Sequence, residues 1–305
     1  MYDKTDLRSK LAPATTSKPV GSNLFEPSYG LFYQETPAED DANGRTFYVR
    51  GQNFIIAYSE AKPGATFARS GQPDEFMVLL QDPDTPVIAT AGTQTEQADG
   101  YALIIMPPGD SKLTFPNGGR VVRIFTTRSE DLAAKCSNAE TYATPDANIP
   151  PLENWPDPIG GFKIRVYSLD VTLEPGRFGR IWRSTNMMVN IPNAHTTPRD
   201  ITKVSPHHHD DFEQCSLALS GLWQHHMRWP WSIDMNGWHD DVHAEVKSPS
   251  VTVIPAQVIH TSTWHSTDSN QLVDIFSPPR LDFSRQEDWV LNEDEYPMPK
   301  QLADA

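Results

Sequence analysis

The chain has 305 residues, too many for one small domain and enough to bury two cores. Its 27 prolines and 17 glycines, with few runs of strong helix formers, argue against a helical bundle. They point instead to an all-β protein of short strands and turns, and a formal net charge of -15 without a local Lys/Arg cluster disfavours nucleic acid and anionic membranes as partners.

Residues 1–45 are rich in Pro, Ser, Thr and acidic residues, with scattered Phe25, Tyr29, Phe32 and Tyr33. Such a stretch cannot form its own core and reads as an arm that drapes over another unit, at a subunit contact of a homo-oligomer. The start of the chain, Met1 to Arg8, lacks the apolar centre of a signal peptide. No apolar run approaches the roughly 20 residues of a spanning helix, so a cytoplasmic protein is expected. Cys136 and Cys215 read as buried thiols of a reducing compartment rather than as a disulfide.

Between residues 46 and 128, short apolar runs such as Phe54-Ile-Ile-Ala-Tyr, Phe76-Met-Val-Leu-Leu and Tyr101-Ala-Leu-Ile-Ile-Met alternate with turn formers. That spacing predicts a sandwich or barrel. Residues 129–161, with prolines clustered from Pro145 to Pro158 and Gly160-Gly161 at the end, read as a linker. Strand runs resume over 162–283, and a polar tail occupies 284–305.

The two halves repeat one another. Asp74-Glu-Phe-Met matches Glu213-Gln-Cys-Ser, Ile105-Met-Pro matches Val253-Ile-Pro, and Val122-Arg-Ile-Phe-Thr matches Val273-Asp-Ile-Phe-Ser, in the same order. A duplicated β-barrel follows.

Chemistry concentrates in the second half. Two histidines at i and i+2 on an extended chain project to one side, and neutral imidazole is a common ligand of first-row divalent metals. His207 and His209 can therefore share an ion, with Glu213 and Gln214 close behind and His260 some fifty residues on. The spacing His207-x-His209, four residues, Gln214, six residues, Gly221, followed by Pro255-x-Gln257-x-x-His260, resembles the cupin superfamily. The first cupin motif is His-x-His, three or four residues, Glu or Gln, six residues, Gly; the second is Pro-x-Gly-x-x-His, with Gln257 here in the glycine place.

The resemblance implies two jelly-roll barrels, a bicupin, with one divalent transition metal (Fe, Mn, Ni, Co or Zn) held by His207, His209, Gln214 and His260. Glu213 also fits the looser spacer, but counting back from Gly221 and strand alternation favour Gln214. His208 then points away, toward Asp210 or Asp211. In the first half, counting back from Glu75 puts Ala68 and Ser70 at the histidine places and Lys112 at that of His260. That barrel is expected to be metal-free, with Glu75 and Lys112 forming an ion pair across its mouth.

The resemblance further implies a metal-dependent enzyme acting on a small oxygenated molecule. Lewis-acid isomerisation, elimination or rearrangement of a sugar-acid-like or enolisable substrate is the first expectation. An Fe(II) dioxygenase of an aromatic or diketone-like substrate is the alternative, and a non-catalytic binding protein the third. Proton transfer is assigned to His226, Glu213 or a metal-bound hydroxide. Gln224, His226 and Arg228 share one face of a strand that forms either a pocket wall or plain barrel packing. The loop from Ser232 to His243 is either a lid or a solvated connection.

Overall fold

The computed structural model describes residues 6–11 and 24–300. Residues 1–5 and 12–23 of the expected arm, and 301–305 of the tail, lie outside the described residues. Within them almost all regular structure is antiparallel strand, and helices are single turns such as Glu130–Ala133 and Leu281–Ser284. None is long and apolar enough to cross a membrane. Cys136 and Cys215 are buried and unbridged.

Two jelly-roll barrels lie back to back. In the first, a seven-stranded sheet centred on Phe76–Leu80 and Gly119–Thr126 meets a four-stranded sheet that includes Ala65–Gln72 and Gly109–Phe115. In the second, a six-stranded sheet centred on Gln214–Ser220 and Gln271–Phe276 meets the three strands Val242–Val246, Trp223–Arg228 and Ile259–Trp264.

Each large sheet is covered on both faces, so alternate residues of one strand serve different cores. Met77 and Leu79 pack between the barrels with Cys215, Leu217, Val253, Ile275 and Trp182, while Phe76, Val78 and Leu80 fill the first barrel. This is why Phe76-Met-Val-Leu-Leu is an unbroken apolar run. On Gln214–Ser220 the same alternation sends Cys215, Leu217 and Leu219 to the inter-barrel layer and Gln214, Ser216 and Ala218 inward. The first barrel has an oily interior, whereas the second sets Gln214, Ser216 and Asp274 among its apolar residues.

The halves also exchange strands. Ser28–Gly30, within the stretch read as an arm, pairs with Ser250–Ile254 of the second barrel. Arg165–Ser168, beyond the linker, pairs with Ala102–Met106 of the first.

The pairing register corrects one sequence correspondence. Phe76 pairs with Met106, just before Pro107, as Gln214 pairs with Ile254, just before Pro255. Phe76 therefore occupies the place of Gln214, and Glu75 corresponds to Glu213. The two glutamates have matching partners across the barrel interface. Glu213 accepts hydrogen bonds from the Gln52 amide (2.6 Å) and the Tyr142 hydroxyl (2.7 Å). Glu75 accepts them from the Thr185 amide (3.1 Å) and hydroxyl (2.9 Å) and from the Tyr296 hydroxyl (2.8 Å). The expected Glu75–Lys112 ion pair does not form, because Glu75 is buried between the barrels and Lys112 is exposed on another strand.

Candidate metal centre

The backbone brings the two distant motifs together. The His207 amide donates to the His260 carbonyl (3.1 Å), and the His260 amide donates back to the His207 carbonyl (2.7 Å). Two residues on, the Gln257 amide donates to the His209 carbonyl (2.6 Å). Gln257 has φ 65°, in the left-handed region, which explains why glycine suits this motif position. Gly221 closes the strand that presents Gln214. Its φ is 93°, and a Cβ there would lie 2.5 Å from Asn270 Oδ1, so only glycine fits.

His207, His209 and His260 place one ring nitrogen each within 4.8 Å of the others. Gln214 Oε1 lies 3.0 Å from His209 Nε2 and 3.2 Å from His260 Nε2. The amide is oriented by its other end, since Gln214 Nε2 donates to Ser216 Oγ and Asp274 Oδ1, both at 3.1 Å. His207 Nδ1 faces the Ser205 carbonyl (2.8 Å) and His260 Nδ1 the Val258 carbonyl (2.9 Å). Those contacts place the ring proton on Nδ1 and make Nε2 the nitrogen each ring can offer an ion.

Burial holds the imidazoles neutral. It pushes His260 down to about 4 and His209 and His207 well below the usual histidine range, helped by the positive charge of Arg280 and, at His207 and His260, Arg8. Burial also raises Asp274 to about 6, against the pull of Arg8 and Arg280. At neutral pH the His260 Nε2 lone pair therefore faces the lone pairs of Gln214 Oε1 at 3.2 Å with no proton between them. Two acceptors held together in a buried place are unfavourable unless a cation sits among them. The three imidazoles and the amide oxygen, with no thiolate, fit one divalent transition metal.

Phe212 stacks on His209 at 4.5 Å, Phe276 meets it edge-on, and the Arg280 guanidinium covers the outer side of these rings. Together they form an apolar wall on one side of the cluster. A surface hollow of about 550 Å³ lies on the first barrel beside Asp82 and Arg120 and shares no residue with this cluster.

The other residues singled out in the sequence lie elsewhere. Glu213 is on the opposite side of its strand from Gln214, bound to Gln52 and Tyr142, because successive side chains alternate. His226 and Arg228 face outward: His226 contacts His243, and Arg228 is paired with Asp241. His208 turns away to Asp210, 3.2 Å distant. In the Ser232–His243 loop and just before it, Trp231 stacks on Trp238 at 4.5 Å, and Trp231, Ile233 and Met235 are exposed.

Sequence reasoning missed two inward groups, Asp274 and His225. In the strand Trp223–Arg228 the buried residues are Trp223, His225 and Met227, and Met227 pairs with His260. The apolar Trp223 and Met227 on either side of His225 were the available signal. His225 is fully buried, its Nδ1 lies 2.8 Å from Ser262 Oγ, and its Nε2 has no hydrogen-bond partner among the described residues.

Asp274→Ala is expected to weaken metal binding about 10–100-fold, because Gln214 would lose an acceptor that holds its amide with the oxygen toward the imidazoles. A competition titration against a chelator checks this, and unchanged affinity would show that Asp274 does not orient Gln214.

No family model matches the sequence, and no curated protein matches it. Solved structures do share the fold. Oxalate decarboxylase from Lactobacillus farciminis, in a formate complex, is 14% identical with a TM-score of 0.55, over 88% of this chain and 90% of that one. AerE from Microcystis aeruginosa is 8% identical with a TM-score of 0.54, over 85% of this chain and all of that one. A single-residue variant of Bacillus subtilis oxalate decarboxylase is 12% identical with a TM-score of 0.50, over 96% of this chain and 89% of that one. The fold is that of a two-barrel cupin.

Proposed function

We propose that the second barrel is the catalytic centre of a metal-dependent enzyme that rearranges, isomerises or cleaves a small oxygen-rich acid without net redox change. The observation that carries this reading is the convergence of three neutral imidazoles and one carbonyl oxygen on a buried point, where the His260 Nε2 lone pair faces the Gln214 oxygen without a proton between them. When bound, a divalent ion supplies Lewis acidity there. The donor set brings no negative charge of its own, and the Asp274 carboxylate touches the far end of the Gln214 amide rather than the imidazoles. A set this poor in anions favours a substrate that brings its own carboxylate or enolate oxygen.

The chain's residues do the rest. Asp274 and Ser216 fix the Gln214 oxygen, the Ser205 and Val258 carbonyls fix two of the rings, and Phe212 and Phe276 shield one side from water. Nε2 of His225, on the inner face beside Met227, is the hydrogen-bonding group available to a substrate hydroxyl.

The test is turnover of metal-stripped protein reloaded anaerobically with Fe, Mn, Ni, Co or Zn, on a panel of enolisable acids and sugar acids. Metal-dependent conversion without oxygen is expected. Turnover confined to Fe(II) with oxygen uptake on a catechol or diketone would replace this reading with a dioxygenase. Metal-dependent ligand binding with no conversion would make the protein a binding module.

A further inference from the structure

The outer face of the three-stranded sheet carries a second group of imidazoles that the barrel site does not use. Trp223–Arg228 is the middle strand, and its register sets His226 directly opposite His243 on one neighbour and Thr261 on the other. Because Trp223, His225 and Met227 turn inward, His226 turns out, and His243 on the edge strand is exposed beside it. Their Nδ1 atoms are 2.8 Å apart and their ring centroids 4.9 Å apart. Thr263 Oγ1 lies 3.4 Å from His226 Nε2 and 3.2 Å from Nε2 of the exposed His265.

Two nitrogens this close cannot both carry protons. They share one proton, or they share a cation. The nearest guanidinium on this face, Arg228, is bound to Asp241, which offsets its charge, and Glu245 on the edge strand adds a negative one. Burial, with the positive charge that His243 and His265 can carry, lowers the affinity of His226 for a proton and leaves its lone pair available. Antiparallel pairing fixes both backbones, so little ordering entropy remains to be lost on chelation.

We propose that His226 and His243 form a second, solvent-facing site for a divalent transition ion, chelated through their paired Nδ1 atoms. Imidazole donors select Cu(II), Ni(II) or Zn(II) over Mg²⁺ or Ca²⁺, which take oxygen ligands. Occupancy ties the edge strand Val242–Val246 to the middle strand and stabilises the folded sheet by mass action. The assignment stands independently of the barrel site.

The experiment is a calorimetric titration of full-length protein with Ni(II), in the wild type and in the His243→Ala, His226→Ala and His260→Ala variants. Wild type is expected to bind two ions per chain, and each single variant one. His243→Ala should keep the barrel ion and His260→Ala the surface ion, and the His243→Ala/His260→Ala double variant should bind none. If wild type binds one ion and His243→Ala none, the surface site stands and the barrel reading fails. If His243→Ala binds as many ions as wild type, or if wild type takes no ion beyond the one lost in His260→Ala, the surface site is overturned. His243 is exposed on an edge strand, so its variant should melt cooperatively. The Ni(II)-induced rise in its melting temperature should be smaller than that of wild type by the surface site's share.

Discussion

Replacing His260 with alanine is expected to abolish metal binding in the barrel and any turnover that depends on it, with the fold intact. The loss should exceed the roughly 10–100-fold that changes outside the donor set cost, because one of three imidazoles disappears outright. The strand pairing should survive, since the contact joining the two motifs is made by the His207 and His260 backbones rather than by their side chains. Metal-free His260→Ala should also lose less stability than a buried large-to-small change normally costs, about 2–5 kcal/mol for an aliphatic side chain, because it relieves the crowding of lone pairs at Gln214 Oε1. Metal analysis of protein purified without oxygen, with thermal melts of metal-free and loaded samples, checks both points. A variant that still carries the barrel ion would sink the assignment.

Alanine at Glu75 or at Glu213 is expected to lower stability by about 2–4 kcal/mol while leaving the barrel ion in place, since each change strands two or three buried donors at roughly 1–3 kcal/mol apiece, less the relief of no longer burying a carboxylate. For Glu75 the size of the effect should vary with pH. Burial raises its pKa above the ordinary carboxylate value, against the hydrogen bonds of Thr185 and Tyr296 and the charge of Arg165. A carboxyl whose folded pKa is raised contributes fully below its unfolded value and loses that contribution as pH rises through the folded one. The gap between wild type and Glu75→Ala should therefore be widest in acid and narrow toward neutrality. Urea melts at a series of pH values measure it, and a gap that widens with pH would show that the fold holds the ionised form.

The ligand-type residues were legible because chemistry and geometry agree at them. His207 and His209 share a side by alternation, and Gln214 belongs to a strand whose inner row begins with Gln214 and Ser216 while Cys215 and Leu217 turn outward, so parity separates it from Glu213. The first barrel gave no such help. Phe76–Leu80 is apolar on both faces, and a strand without contrast does not reveal its register, hence the slip of one residue at Glu75. His225 went unnoticed for the opposite reason. The polar row of that strand suggests a functional wall, whereas Trp223 and Met227 mark the inward row and carry His225 with them. The strand exchange of Ser28–Gly30 and Arg165–Ser168 left no local trace, because a partner distant in sequence does not alter local patterning.

In the first barrel Phe76 stands at the place of Gln214, within an oily filling. The traded strands make the second barrel depend on the first. Without its counterpart, the histidine-bearing half would expose Ser250–Ile254 as a raw sheet margin open to chance association, and would lose the Gln52 and Tyr142 anchors next to its own donor strand. The first barrel thus acts as a foundation for the second, holding its sheet margin and the back of its donor strand in place.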